Sequence, residues 1–139
     1  AAGDDVEPET TGVRRLGRLT PEEVAGWLAR ASIYALPARY EPFGLSVLEA
    51  ALAGCALVLG DLPSLRELWG DAACFVDPKD TDRLAAVVED LIDRPEARRE
   101  LAARARRRAR TLQPARMAEG YLAAYHSLTD RRSAVRAAV

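Results

Sequence analysis

Three short apolar runs, Ile33–Leu36, residues 56–59 and Cys74–Val76, alternate with longer helix-patterned segments. That alternation constrains the fold of the 139-residue chain more than any other feature. Each run is bounded by a breaker: Pro37 after the first, Gly54 and Gly60 around the second, Asp77 and Pro78 after the third. Short, uniformly apolar runs suit strands buried on both faces, and consecutive parallel strands need a crossover, usually a helix, between them. The expectation is an α/β fold built on a parallel sheet. Residues 13–17 are a weaker strand candidate, which brings the expected sheet to about four strands flanked by helices.

The helices are signalled by their ends. Thr20, Pro21 and Glu23 predict a helix start, with Thr as N-cap, Pro in the first turn and Glu three residues after the cap. Val24, Trp27, Leu28 and Ala31 follow at helical spacing. A helix over residues 44–53 is stopped by Gly54, and Pro63–Trp69 is a short helix. Asp80 caps an amphipathic helix with Leu84, Val87, Val88, Leu91 and Ile92 on one face. Pro95 opens a helix reaching about Leu112, and a last one follows Pro114, with Met117, Tyr121, Ala124, Tyr125 and Leu128 apolar. Residues 1–12 read as a flexible N-terminal segment, 13–128 as the domain and 129–139 as a tail.

Composition excludes more than it assigns. A hydrophobic share of 49% with 29% charged residues is ordinary for a globular protein. A net charge of −1 gives no argument for nucleic acid or an acidic membrane as partner. Cys55 and Cys74 form no C-x-x-C, so neither a zinc site nor a disulfide framework is expected, and both read as buried thiols. Asp4, Asp5, Glu7 and Glu9 occupy the beginning without an apolar run, so no signal peptide is expected there. The longest apolar stretch, residues 47–60, is interrupted by Glu49 and too short for a bilayer, which makes a cytoplasmic protein the expectation.

The chemistry concentrates between Pro37 and Glu49, which reads PARYEPFGLSVLE. Glu41 stands just before the expected helix and Glu49 about one turn inside it. A Pro-Phe-Gly turn lies between them. The first turn of a helix carries unpaired N–H groups and partial positive charge, so it can hold an anion such as a phosphate. The flanking carboxylates cannot serve that anion. They suit neutral hydroxyls, as on sugars and ribose. The pair could also hydrolyse a glycoside, provided the carboxyl groups stand across a cleft at the required separation.

The E-P-F-G-L…E spacing, with the A-x-x-G that follows, resembles the donor-binding motif of retaining GT-B glycosyltransferases of the glycogen-synthase-like group. The resemblance implies a partial Rossmann-like domain, the later part of that family's C-terminal domain. It implies a nucleotide-sugar (NDP-sugar) donor, transfer of a hexose to an acceptor, and no cofactor or metal. Glu41 would be the catalytic residue, orienting sugar hydroxyls and stabilising an oxocarbenium-like transition state. Phe43, Gly44, Leu45 and Ser46 would act chiefly through backbone N–H groups toward the sugar and diphosphate, and Glu49 would accept from the ribose. Glu67 matches a recurring Glu of the family, as a ligand contact or a surface ion pair. Asp61 is a further candidate, for orienting its loop. The alternative is a non-catalytic interaction or regulatory protein that retains the fold.

The match departs from the family at Ala38, at Cys55 and Ala56, and at a missing Trp near Gln113. It also lacks the G-R…K-G segment whose Arg and Lys neutralise the donor diphosphate. Helix-terminus N–H groups alone stabilise an anion by roughly 0.3–2 kcal/mol, so weak binding is expected. In a doubly wound sheet of order 3-2-1-4-5-6 the strands read here are the third through sixth, which leaves a gap beside Ile33–Leu36. An unpaired edge invites association, so self-association, or pairing with an N-terminal half, is expected. His126 reads as a surface or packing residue. The Arg cluster at Arg104, Arg106, Arg107, Arg108 and Arg110 reads as a solvated helix face, with an anionic lipid or acidic partner as the other option.

Overall fold

The computed structural model describes residues 12–112. The expected last helix with His126, the tail and most of the N-terminal segment lie outside the described residues. In chain order the elements are α1 (Pro21–Leu28), β1 (Ile33–Leu36), α2 (Leu45–Ala53), β2 (Ala56–Gly60), α3 (Pro63–Trp69), β3 (Cys74–Val76), α4 (Thr81–Asp93) and α5 (Pro95–Thr111). A single 3-10 turn, Gly70–Ala72, joins α3 to β3.

The sheet is parallel, in the order β1-β2-β3. Ile33 pairs with Ala56 and Leu36 with Leu59, while Val58 pairs with Cys74 and Gly60 with Val76. Every residue of β2 is buried, as expected of a central strand with both faces covered. Leu57 and Leu59 face a core with Val47, Ala50 and Ala51 of α2, Leu65 and Trp69 of α3, and Ala105 and Ala109 of α5. Ala56 and Val58 face the opposite core with Val76, Leu91 of α4 and Leu101 of α5. Burying a leucine fully stabilises by about 1.5–3 kcal/mol, so the two leucines of β2 are a principal anchor for α2.

The helix ends behave as their residues dictate. The Thr20 hydroxyl accepts from the Glu23 N–H at 3.3 Å while Glu23 Oε2 accepts from the Thr20 N–H at 2.8 Å, a reciprocal capping box. Asp80 Oδ1 accepts from the Arg83 N–H at 2.8 Å at the start of α4. Gly54 closes α2 at φ 97°, donating to Ala50 O and Ala51 O.

Residues 13–17 are not a strand, so among the described residues the sheet has three strands instead of about four. Val13 is 58% exposed and Leu16 37%. A strand is held by its ladder neighbours, and the doubly wound order would separate this one from β1 by two strands. No described segment fills that gap, and a lone extended segment has nothing to pair with. Ile92 is 58% exposed and sits off the apolar side of α4, where Leu91 is buried. Cys55 is buried as expected, but Cys74 on the short β3 is only half-buried.

Candidate functional site

The loop leaving β1 at its C-terminal end carries the two-carboxylate motif into α2. In open α/β sheets this is the edge at which ligands bind. Glu41 is half-buried, and its carboxylate turns back on its own loop. Oε1 accepts from the Gly44 N–H at 2.8 Å and from the Phe43 N–H at 3.4 Å. Oε2 has no partner among the described residues. The Glu41 main chain is fixed as well, since its carbonyl accepts from the Ser64 hydroxyl of α3 at 2.7 Å. The carboxylate is thus held by one oxygen and open at the other.

Gly44 takes φ 74° and ψ 57°, a left-handed conformation that favours glycine, and it caps α2 without a side chain. The first bond back into the helix runs from the Leu48 N–H to Gly44 O at 3.0 Å. The N–H groups of Leu45, Ser46 and Val47 therefore stand at the helix start without intrahelical partners. Two of the donors expected to serve a ligand, those of Phe43 and Gly44, are engaged by Glu41 itself. Those of Leu45 and Ser46 are free of that claim. The Ser46 side chain accepts from the Tyr34 hydroxyl at 2.8 Å.

Glu49 lies further along α2 and is exposed. With Leu52 and Ala53 of α2, and Leu19, Pro21, Val24, Ala25 and Leu28 on or beside α1, it lines a groove of about 530 Å³. Among the described residues that line it, Glu49 is the one with a charge in a mainly apolar wall.

The other two candidates stand apart from this constellation. Asp61, just after β2, pairs with Arg66, whose Nη2 lies 2.8 Å from Oδ2 and whose Nε also donates. That hydrogen bond, with the guanidinium charge, holds the Asp61 carboxyl below the usual carboxylate range. Arg66 in turn stacks over Phe75 at 4.6 Å. The Glu67 side chain is exposed and forms no ion pair among the described residues. Its carbonyl, with that of Leu68, accepts from Arg108 at 3.3 and 2.7 Å.

Tyr34, Ser64 and Gly60 escaped sequence reasoning. Tyr34 and Ser64 hold the motif by hydrogen bonds; Tyr34 was visible as a hydroxyl in an otherwise apolar strand, and Ser64 as one in the first turn of α3. Gly60 read only as a boundary, yet a Cβ there would fall 2.3 Å from Ala38 O, so the motif loop lies directly on it. The α1 face of the groove carried no signal beyond helical periodicity. Among the described residues no three His, Cys, Asp or Glu side chains are grouped to hold a metal ion, and no helix is long and apolar enough to cross a membrane.

Comparison with known proteins bears on this geometry. The family model for glycosyl transferases group 1 matches residues 10–108. Glycogen synthase of Mycobacterium tuberculosis is 40% identical over 97 residues, which is 68% of this chain and 23% of that protein. An MMP alpha-(1->4)-mannosyltransferase of Mycolicibacterium hassiacum is 39% identical over 94 residues, 66% of this chain and 23% of that protein. A solved sucrose-phosphate synthase from Thermosynechococcus elongatus superposes with a TM-score of 0.72 at 24% identity, over 84% of this chain and 30% of that one. The chain therefore spans about a quarter of the length of the curated relatives it matches. With the motif seated at the C-terminal edge of a parallel sheet and the family model covering most of the sequence, the chain belongs to the glycosyl transferases group 1 family, of GT-B architecture.

Proposed function

We propose that this chain binds the NDP-sugar donor of a retaining glycosyl transfer, in which a hexose passes to an acceptor. The observation that carries the reading is the Glu41 carboxylate, pinned through Oε1 to Phe43 and Gly44 and open at Oε2 beside the unpaired donors of α2. Oε2 would accept from a hydroxyl of the transferred sugar, and the N–H groups of Leu45 and Ser46 would take the diphosphate. Glu49 would accept from the ribose hydroxyls, with the base in the apolar groove against α1. Catalysis would then rest on positioning and on electrostatic stabilisation of the departing diphosphate, and the reading assigns no cofactor. Relatives named as a glycogen synthase and as a mannosyltransferase support no single donor sugar for this chain. The two free thiols support a reducing, cytoplasmic setting.

Calorimetric titration with UDP, GDP and ADP tests the reading. Binding of one of them, abolished by Glu49→Gln, is the expected result. No heat from any of the three at millimolar nucleotide would overturn it.

One observation favours a second role, as an interaction module. The outer edge of β1 has no strand beside it among the described residues. Tyr40 and Leu45, near its end, are 84% and 67% exposed. Unpaired edges template association, so self-association or docking of a complementary half would cover this one. A monomer in sizing at micromolar concentration, with one cooperative melt, would count against that role.

A further inference from the structure

Tyr34 and Ser46 come from different elements, β1 and the first turn of α2, and meet through a 2.8 Å hydrogen bond between half-buried side chains. Tyr34 packs with Leu36 against the core that holds α2, so the phenol is presented to the helix start by a paired strand. A phenol O–H is a stronger hydrogen-bond donor than an aliphatic hydroxyl. Its proton goes to Ser46 Oγ. The Ser46 oxygen then serves as acceptor while its own proton has no acceptor among the described residues. That free O–H stands on the second residue of α2, beside the unpaired N–H groups of Leu45, Ser46 and Val47.

We propose that Tyr34 is a positioning residue for the donor diphosphate. It fixes the rotamer of Ser46 so that the serine O–H joins the backbone donors of the helix start. The proposal rests on the donor reading above and adds to it a side-chain donor and the residue that aims it. A phosphate is the fitting acceptor. The helix start favours negative charge, and each free group there is a donor. Sugar and ribose hydroxyls have carboxylates at Glu41 and Glu49 for partners instead. A hydroxyl that already accepts a hydrogen bond is polarised toward donating, so the Tyr34–Ser46–phosphate chain is stronger than its links taken singly.

The test uses the full chain and NMR titration with UDP, GDP and ADP, each set against its own nucleoside. Tyr34→Phe and Ser46→Ala should each raise the Kd of the binding diphosphate by about three- to ten-fold and leave the nucleoside Kd unchanged. The double variant should bind no worse than Ser46→Ala alone, and Ser46→Thr should restore affinity together with its dependence on Tyr34. An unchanged diphosphate Kd in Tyr34→Phe, with Glu49→Gln still abolishing binding, overturns the proposal and leaves the donor reading intact. Equal weakening toward nucleoside and diphosphate also overturns it, because that pattern marks a general loosening of α2. Absence of binding by the unaltered chain removes the donor reading and this proposal together. Should Tyr34→Phe fail to fold, Ser46→Ala, judged by the same diphosphate-to-nucleoside contrast, decides.

Discussion

The Ser64 hydroxyl donates to the Glu41 backbone carbonyl at 2.7 Å, tying the loop after β1 to the first turn of α3. The two residues are 23 apart in sequence, so this bond fixes the site from outside its own segment. Ser64→Ala leaves the carbonyl without that partner and should cost about 0.5–1.5 kcal/mol. In urea unfolding the midpoint should fall with the slope unchanged. Nucleotide affinity should fall with it, because Glu41 loses its main-chain anchor. If neither stability nor affinity moves, α3 has no part in holding the site.

Gly60 and Gly44 should respond differently to a methyl group. A Cβ on Gly60 would fall 2.3 Å from Ala38 O, 3.1 Å from Ala38 N and 3.2 Å from Pro78 Cγ. Gly60 is held by its pairing with Val76 and the atoms it would meet at Ala38 are backbone, so the loop bearing Glu41 must shift. Overpacking of this kind costs about 1–3 kcal/mol or more. At Gly44 the near atoms are Val47 Cγ2 at 3.0 Å, Val47 Cβ at 3.3 Å and Leu65 Cδ2 at 3.4 Å, all farther off than the backbone oxygen that faces Gly60. There the left-handed backbone dominates, at roughly 1–2 kcal/mol. Gly26, inside α1 with nothing within 4 Å, is the control, and Gly26→Ala should stabilise by up to about 1 kcal/mol. Thermal melts should rank Gly26→Ala above Gly44→Ala, with Gly60→Ala lowest. A Gly60→Ala protein as stable as the parent would refute the close approach.

What the sequence made legible were features set by local chemistry. Thr20 with Glu23, Asp80, Pro63, Pro95 and Gly54 declare their caps through groups at most a turn away. The Glu41–Glu49 spacing likewise needs only a helix start between them. Residues 13–17 misled because their pattern suits a strand, while strandedness depends on neighbours supplied by other segments. Ile92 misled because helical periodicity marks a face and not how far the partner surface extends. Within the site, the spacing could not foretell that Glu41 Oε1 would occupy donors expected to serve a ligand. Nor could it pair Tyr34 with Ser46 or bring α1 to Glu49, since both are tertiary contacts.

Two arginines of α5 hold the ends of other helices: Arg98, and Arg108 from the cluster expected as a solvated face. Arg98 donates to Leu91 O and Ile92 O at the end of α4, and Arg108 to Glu67 O and Leu68 O at the end of α3. Cations at helix C-termini satisfy orphan carbonyls and oppose the negative end of the dipole. Arg107 is exposed and makes no ion pair among the described residues. Arg108→Ala should therefore lower stability by about 1 kcal/mol, while Arg107→Ala should leave it within roughly 0.5 kcal/mol of the parent. Equal effects in chemical denaturation would show that the contacts to α3 contribute nothing.

Alkaline pH should weaken the fold through its thiols. The Cys55 side chain is fully buried, with Sγ donating toward Leu28 O and Ala31 O at 3.5 and 3.4 Å, and burial pushes its pKa up. Burial raises that of Cys74 too, opposed in part by Arg104. Both groups are acids whose neutral form the folded state favours. Below the ordinary thiol pKa of about 8.5, both states are protonated and stability is unaffected. Above it the unfolded chain loses protons that the folded chain keeps, so stability falls with rising pH until the folded thiols ionise in turn. Urea midpoints should therefore drop between neutral pH and pH ~10, and the drop should be shallower in Cys55→Ala than in the parent. Labelling with a thiol reagent should be slow for both cysteines in the folded chain, slowest for Cys55, and fast in urea. Cys55 reacting as quickly when folded as when unfolded would mean that α1 and β2 do not enclose it as described.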